Sequence, residues 1–517
     1  MNTFIQRFSD RVTGVLSGYD RLMIHGNLRR ICYAVGMQDF LWENKILLKE
    51  FGKYGQGVSA RVREEVKRVA ADAKRPVIHV NSSRENKEEI ALQIARDDRI
   101  REGLIAVLSC VETCKTFGIE ANRERKEIKL KMEERKCLHF YHYMFHSEFG
   151  FMYGRLQTWF PFKVQIYLNG REWLSRQMDR SGVKYRRLDN CFSWIEDFSK
   201  AQQLMDQQLR VNWPRKLATL ARQLNPSHGK IFEKYPLEYY WSIAQSEWAT
   251  DISFQDRGSL SEIYRPMILH GITNFGSKDV MRFLSKKIRG RFEGEVTSDF
   301  KIRSEGVRIK HRIDSNSIKL YDKFGLVLRV ETTINNARAL KTYRPLENHP
   351  ERGAVRTYLR AGITDIVRRS QVCQRANETY LEALAFVQPT STFSSLLEKI
   401  SKTTTHNGKS VRGLRPWQTE DFTLLKAISN AEFAISGFRN RDLQPVLFHS
   451  STSDLTEKRR RSAKVSRLLR ILRAHHIIRK IPGSYRYALT PFGRDTTNAI
   501  LSTQNITLEK LWQAAAA

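Results

Sequence analysis

The sequence predicts an α+β protein in which a mixed α/β body precedes a smaller C-terminal domain. Strand-like apolar runs alternate with helical patterns along the body. A connector rich in Ser, Thr, Lys and Gly marks the clearest boundary, and an amphipathic helix with two short strand-like runs follows it. The predicted segments are an α/β unit at 1–125, a mixed α+β body with aromatic and basic strands at 126–340, a helical connector at 341–400, a linker at 401–413 and the C-terminal domain at 414–500.

The first unit alternates strands and helices. An apolar run at 103–112 has the composition of a strand buried on both faces. The other elements expected before it are a strand pair at 12–28, helices at 38–51 and 59–73, a short strand at 76–80 and a helix at 83–94. This order favours helices layered on a sheet.

The rest of the body contains two β-rich stretches separated by helices. The β-rich stretches are 126–168, which is crowded with aromatic residues, and 290–336, which carries basic residues at alternate positions. Helices are predicted at 170–181, 195–208 and 214–224, and again over 352–386. No internal repeat is visible in the sequence.

A helix predicted over 462–474 has one apolar stripe. Val465, Leu468, Leu469 and Leu472 fall at i, i+3, i+4 and i+7, so one side of the helix is expected to be buried. The basic residues of the same helix stay off that stripe, and they are Lys464, Arg467, Arg470 and Arg473. A second basic run precedes them at Lys458, Arg459, Arg460 and Arg461.

Two strand-like runs follow this helix, at 477–481 and 485–489, and Pro482, Gly483 and Ser484 join them. Helix, helix and hairpin in this order resemble the winged helix-turn-helix domains of bacterial regulators, transposases and replication proteins. The resemblance covers the last fifth of the chain and implies that helix 462–474 enters a DNA major groove while the hairpin touches an adjacent backbone or minor groove. Further residues expected at this interface are Arg439, Arg441, Arg479, Lys480 and Arg486. The alternative is a solvated basic face.

Composition supports a nucleic-acid partner. The 517 residues include 88 Lys and Arg against 55 Asp and Glu, a formal charge of +33. Phosphate backbones are the usual partners of such a basic chain, so DNA is the expected partner and RNA the alternative. The chain has no stretch of about 20 apolar residues, which a membrane span requires, and no CxxC pair among its six cysteines. These features predict a cytoplasmic, nucleoid-associated protein.

The segment 316–333 is expected to form a hairpin about Gly325. Lys319 would then face Glu331, and Tyr321 would face Arg329. The order Lys-x-Tyr-Asp-Lys followed by Leu-Arg-x-Glu resembles rolling-circle plasmid replication initiators, which nick DNA with a tyrosine nucleophile and acidic metal ligands. Those initiators place the tyrosine upstream, where this chain has none between positions 264 and 321. Tyr321 is therefore a nucleophile candidate only in a differently built site, and a hairpin of ordinary cross-strand pairs is the alternative.

Carboxylates near strands are candidate ligands for Mg²⁺ or Mn²⁺, which assist phosphodiester cleavage by neutralising charge on the reacting oxygens. The candidates in strand-like or post-strand context are Asp20, Glu112, Asp251, Glu295, Asp299, Asp322 and Glu331. Four of them are the predicted metal ligands, and they are Asp20, Glu112, Asp322 and Glu331. Asp20 and Glu112 end or interrupt apolar strands, as the first acidic residues of a ribonuclease H-like transposase core would. Acids at strand ends are also common as caps and ion-pair partners, so this alternative stays open.

The alternation of side chains along a strand predicts a further contact surface, on which unpaired bases would stack. Its residues would share one strand face, and they are Tyr153, Arg155, Gln157 and Trp159. Part of that face is equally suited to a hydrophobic core.

The sequence lacks GxxxxGK[ST], GxGxxG, GxSxG and HExxH motifs. The resulting expectation is a nucleic-acid-binding protein of a mobile element that docks DNA and cleaves or transfers a strand. The alternatives are a non-catalytic DNA-binding regulator and an RNA-binding component of a ribonucleoprotein.

Overall fold

The computed structural model describes residues 2–503 apart from 123, 125–126, 274, 276, 285–294, 304–305, 347–348, 386–392, 407, 431–432, 434–436, 449–451 and 453. The elements up to residue 231 are α1 (Asn2–Arg7), β1 (Val12–Asn27), α2 (Ala34–Glu43), α3 (Phe51–Asp72), β2 (Val77–His79), α4 (Lys87–Asp97), β3 (Gly103–Asn122), β4 (Glu127–His146), β5 (Gly150–Gln157), β6 (Val164–Asn169), α5 (Gly170–Arg180), β7 (Tyr185–Leu188), β8 (Cys191–Ile195), α6 (Phe198–Gln207), α7 (Trp213–Leu224) and α8 (His228–Ile231).

The later elements complete the body and form the C-terminal region. They are β9 (Tyr240–Phe254), α9 (Arg257–Thr273), α10 (Ser277–Phe283), β10 (Val296–Arg303), β11 (Gly306–Ile313), β12 (Asn316–Lys323), β13 (Val327–Ile334), β14 (Lys341–Leu346), β15 (His349–Tyr358), α11 (Ile366–Leu384), α12 (Phe393–Ser401), β16 (Thr404–His406), β17 (Lys409–Val411), α13 (Thr419–Ile428), α14 (Asn440–Leu447), α15 (Leu455–Ala474), β18 (Ile478–Lys480), β19 (Tyr487–Leu489) and α16 (Pro491–Thr503).

One eleven-stranded sheet organises the body. Its strand order is β10-β11-β12-β13-β9-β1-β6-β5-β4-β3-β2. All neighbouring strands are antiparallel except β2 and β3 at one edge. Helices and strands are thus mixed around one large sheet, as the sequence predicted. The predicted units 1–125 and 126–340 are not separate, because strands from both belong to this sheet.

The sheet is built from two halves with the same topology. In the first half, β1 is followed by helices and then by the meander β3 to β6, whose last strand returns to pair with β1. In the second half, β9 is followed by helices and then by the meander β10 to β13, whose last strand pairs with β9. Because β1 and β9 pair antiparallel, a pseudo-twofold axis passes between them. This repeat lies in topology, which explains why the residue pattern did not reveal it.

Two faces of the sheet differ in polarity. Along β9, Trp248 and Thr250 face helix α11. The Trp248 indole donates a hydrogen bond to Gln374, and the Asn377 amide donates to the Trp248 carbonyl and to the Thr250 hydroxyl. Asn377 also donates to the Val330 carbonyl, so it joins α11 to both β9 and β13. The residues between these positions point to the opposite face, since side chains alternate along a strand. We call that opposite, polar surface the open face.

Three predicted elements differ from the structure. Residues 12–27 form one long strand rather than a strand pair, because β9 pairs along most of the length of β1. The predicted linker 401–413 contains a β16-β17 hairpin, and Val411 is buried. The predicted helical connector 341–400 begins with the β14-β15 hairpin, and the helix predicted over 352–386 forms only from Ile366 to Leu384, as α11.

The C-terminal region has its own hydrophobic core. Residues from Ile400 to Ile500 form a cluster separate from the core of the body, and Phe393 packs against it. The fragment that retains this whole cluster therefore begins at Phe393, before the predicted linker. All six cysteines are free thiols. Among the described helices, none combines the length and apolar character that crossing a bilayer demands.

Candidate functional site

A buried cluster of charged side chains lies on the open face where the two halves of the sheet meet. Its acids come from β1, β9 and β13, and they are Asp20, Glu247, Asp251 and Glu331. Its cations are Arg21, Arg171, Lys319 and Arg329. The β1 register shifts between Tyr19 and Arg21, so a bulge turns Asp20 toward this cluster. Four carboxylates are therefore balanced by four cations.

Arg329 holds one side of the cluster together. Its Nε and Nη2 donate to the two carboxylate oxygens of Asp251 at 2.6 and 2.8 Å, and its Nη1 lies 3.4 Å from Asp20. The Arg171 guanidinium lies 2.9 Å from Asp251 and 3.8 Å from Asp20. Both arginines are fully buried. The turn between β7 and β8 covers them, because Asn190 accepts from Arg329 through its carbonyl and donates to Asp20.

Lys319 and Tyr321 hold the other side. The Lys319 ammonium lies 2.6 Å from Glu331 and 3.6 Å from Glu247. The Tyr321 hydroxyl donates to Glu331 at 2.7 Å. Arg21 lies 3.7 Å from Glu247 and is half exposed, so the cluster opens toward solvent on this side. The predicted cross-strand pairs Lys319 with Glu331 and Tyr321 with Arg329 are confirmed.

The acids of the cluster differ in their readiness to ionise. Burial opposes the ionisation of Glu331, but Lys319 and the hydrogen bond from Tyr321 outweigh it, so the pKa of Glu331 is lowered. Burial likewise opposes ionisation of Asp251, and Arg171 and Arg329 outweigh it, so its pKa is lowered too. Burial and the neighbouring Glu331 raise the pKa of Glu247. Of these three acids, Glu247 is therefore the one most prone to take up a proton.

Three of these acids could hold a divalent cation. One oxygen from each of Asp20, Glu247 and Glu331 lies within 4.8 Å of the others, and we call this set the acidic triad. Carboxylate oxygens are the ligands that Mg²⁺ and Mn²⁺ prefer. Each acid of the triad already has a cationic partner, however, so a metal ion would have to compete with Arg21, Lys319 or Arg329. The balance of charges favours a network of ion pairs that stabilises the fold. The three carboxylates considered alone would suit a metal ion.

The structure brings together only two of the four predicted metal ligands. Asp20 and Glu331 share the triad, but Glu112 lies on β3, four strands from β1, where it accepts from Arg155 at 2.6 Å and from Tyr141 at 2.7 Å. Asp322 follows Tyr321 on β12 and therefore points away from the open face, and its carboxylate accepts from the Gly325 amide. The prediction of one site for all four acids is wrong.

The sequence prediction missed Glu247. It lies on β9, where alternate residues 247, 249 and 251 share the open face. That alternation was available in the sequence, but the pairing of β9 with both β1 and β13 was not.

Tyr321 is not placed as a nucleophile. Its side chain is buried against β13, and burial followed by the charge of Glu331 raises the pKa of Tyr321 well above its usual value. An attacking oxygen requires the opposite shift or an adjacent base that is free to take its proton. Glu331 is engaged by Lys319, so the hydroxyl acts here as a hydrogen-bond donor.

The predicted base-stacking face is only partly formed. Tyr153 and Arg155 are on the open face of β5, but the Tyr153 ring stacks on Tyr167 at a centroid distance of 5.1 Å and contacts Tyr143 on another side. Trp159 lies elsewhere, because the strand ends at Gln157 and the alternation ends with it. The Trp159 indole donates to the Phe117 carbonyl and its ring contacts Phe51 in the core.

A basic surface covers α15 and the β18-β19 hairpin. The predicted stripe of Val465, Leu468, Leu469 and Leu472 is buried, which confirms the helix phase. Six exposed cations of this surface form no ion pair with another described residue, and they are Lys458, Arg459, Arg467, Arg470, Arg479 and Lys480. We call these residues the basic surface.

Most of the other cations predicted here have internal partners. Arg460 and Arg461 pair with Glu457, and Lys464 pairs with Glu420. Arg439 and Arg441 lie near Asp442, Arg486 donates to the Gly437 carbonyl, and Arg473 is partly buried at the end of α15.

Comparison of the chain with protein-family models, with curated proteins and with solved structures found no match in any of the three.

Proposed function

We propose that residues 393–503 form a winged-helix domain that docks duplex DNA. The order of α13, α14, α15 and the β18-β19 hairpin supports this assignment. An isolated bridge between Phe438 and Tyr487 supports it further, because it adds a short third strand beside the hairpin, immediately before α14. In this arrangement α15 is the recognition helix and 481–486 is the wing.

The observation that carries the proposal is the position of the basic surface. On a helical wheel, Arg459, Arg467 and Arg470 lie opposite the buried stripe of α15, and Arg479 and Lys480 extend the same charge onto the hairpin. Guanidinium groups on a recognition helix donate to phosphates and to guanine edges. On this proposal the chain is a protein of a mobile element. Its winged helix docks a terminal or origin sequence of the element, while the large body acts on one DNA strand. A simple regulator would need far less than this body.

The test is duplex binding by the full chain. Replacing Arg467 and Arg470 with alanine is expected to weaken duplex affinity roughly ten-fold or more, because each hydrogen bond to a charged group contributes on the order of 1.5 kcal/mol. The melting temperature should not change, since neither side chain belongs to the buried stripe. The matched control is Arg63→Ala with Lys67→Ala on the exposed side of α3. A large fall in melting temperature would show that the two arginines are structural and contradict the helix phase.

A second candidate activity, metal-assisted strand cleavage, is favoured by the geometry of the acidic triad. Asp20, Glu247 and Glu331 would hold the Mg²⁺ or Mn²⁺, which when bound supplies charge neutralisation at the reacting phosphate. Half-exposed Arg21 beside Glu247 would orient that phosphate.

Asp20→Asn and Glu247→Gln are expected to remove Mg²⁺-dependent cleavage while duplex affinity stays unchanged, because the amide keeps the shape and loses the charge. The matched control is Asp322→Asn, which changes an acid on the other side of β12. Equal cleavage by all three variants in a gel assay would show that the acidic triad does not hold the metal. Absence of cleavage by the parent chain would leave the non-catalytic DNA-binding regulator. Preference for structured RNA over duplex DNA in the binding assay would support the ribonucleoprotein component.

A further inference from the structure

The open face carries polar side chains in rows that cross several strands. One row joins Arg312, Ser317, Thr333, Glu247, Arg21 and Asn169, which are register partners on β11, β12, β13, β9, β1 and β6. Another joins Ser242, His25, Gln165, Arg155 and Tyr141 on β9, β1, β6, β5 and β4. Strands lie about 4.8 Å apart, so from β5 to β11 the face spans roughly 29 Å.

Polar contacts between neighbouring strands fix the side chains of these rows, which form the floor of the open face. The His25 ring lies 3.2 Å from the Gln165 amide oxygen, and the Gln165 amide donates to the Tyr153 hydroxyl at 3.0 Å. A cavity of about 350 Å³ adjoins them, with Arg155 and Lys163 in its lining. Helix α4 covers the face on the β3 side through Lys87, which lies 3.4 Å from Glu112. The β7-β8 turn covers the ion cluster at Asp20 and Arg329, so the uncovered part of the face is a groove that ends at α4 and runs beside this turn as far as β11.

Cations at both ends of this groove lack internal partners. Neither Lys163 at the β6 end nor Lys310 on β11 forms an ion pair with another described residue. Burial and then the positive charge of Arg155 lower the pKa of Lys163, and burial and then Arg312 and Lys319 lower that of Lys310. Burial and then Lys163 lower the pKa of His25 to about 4, so its ring is a neutral hydrogen-bonding group at pH 7. An anion in the groove would relieve this repulsion between cations.

We propose that the groove on the open face binds single-stranded nucleic acid, independently of the C-terminal domain. Its cations pair with phosphates, while His25, Gln165 and Gln245 supply the donors and acceptors that the edges of unpaired bases require. Gln245 belongs to this face because it lies two residues before Glu247 on β9 and pairs with Met23 on β1. The floor of the groove is bounded by α4 at the β3 end and by the β7-β8 turn along one side, and its span of roughly 29 Å suits a single extended strand of several nucleotides. DNA and RNA share this chemistry, and the 2′-hydroxyl distinguishes them.

The experiment measures binding of fluorescent single-stranded DNA and RNA oligonucleotides by anisotropy across a salt series. The full chain carries Arg459→Ala, Arg467→Ala and Arg470→Ala, so that the basic surface contributes little. Adding Lys163→Gln and Lys310→Gln is expected to make the slope of log affinity against log salt shallower by about 1.4, because each phosphate contact on a single strand contributes about 0.7. Affinity at low salt should fall several-fold.

The matched control adds Arg63→Gln and Lys67→Gln on α3 instead, which leaves the slope unchanged if binding is local to the groove. An identical slope change in both variants would overturn the proposal, as would absence of single-strand binding before the groove is altered. Displacement of the oligonucleotide by polyglutamate at equal charge would identify an acidic peptide as the occupant instead. Loss of duplex binding in the Arg467 and Arg470 variant tests the winged helix alone, so the two proposals fail separately.

Discussion

Replacing Arg329 with leucine is expected to destabilise the body by about 3–5 kcal/mol, which is the usual result of removing one partner from a buried ion network. Arg329 is fully buried and contacts Asp251 and Asp20, and Arg171 alone would then face both carboxylates. The Asn190 carbonyl would also lose its donor. Urea unfolding followed by tryptophan fluorescence measures the loss, since Trp248 lies on the neighbouring strand β9.

Two further variants make this prediction specific. Arg312→Leu removes a half-exposed arginine that lies 3.7 Å from Asp299, and it should cost about 0–1 kcal/mol. Combining Arg329→Leu with Asp251→Leu removes both charges of the closest pair and is expected to recover part of the stability lost by the single change. If Arg329→Leu cost no more than Arg312→Leu, the ion cluster would not be the structural centre of the sheet.

Local patterns allowed some features to be predicted from sequence. The buried stripe of α15 follows from helical periodicity, which a single helix determines without reference to the rest of the chain. The register of β12 with β13 follows from the short turn at Gly325, whose φ of +71° suits glycine. In both cases the residues that determine the structure are close in sequence.

The features that the sequence did not reveal depend on distant contacts. The acidic triad exists because β1 pairs with β9 and β9 pairs with β13, and because a bulge turns Asp20 toward the open face. A bulge adds one residue and reverses the side-chain alternation beyond it, and no local sequence pattern predicts where the bulge occurs. Glu112 and Asp322 have the same strand context in sequence as Asp20, so composition could not separate the acids of the cluster from the others.

Duplex DNA affinity is expected to fall about a thousand-fold between roughly 50 and 200 mM salt, because binding releases counterions from the phosphates that the protein neutralises. The basic surface offers six exposed cations without an ion pair to another described residue. If each contacts one phosphate, the slope of log affinity against log salt is about −5. The formal charge of +33 cannot give this result by itself, since cations remote from the DNA release no condensed counterions.

Comparing the slopes of variants separates local contact from overall charge. Changing Arg459, Arg467 and Arg470 to alanine should make the slope shallower by about 2.7, because each phosphate contact on a duplex contributes about 0.9. Removing three exposed cations from α3 instead, with Arg61→Ala, Arg63→Ala and Lys67→Ala, subtracts the same net charge from the opposite end of the chain. That variant should keep the slope of log affinity against log salt that the unmodified chain shows. Equal slopes for the two variants would mean that the chain attracts DNA by its total charge, and they would contradict the proposed role of α15 as a recognition helix.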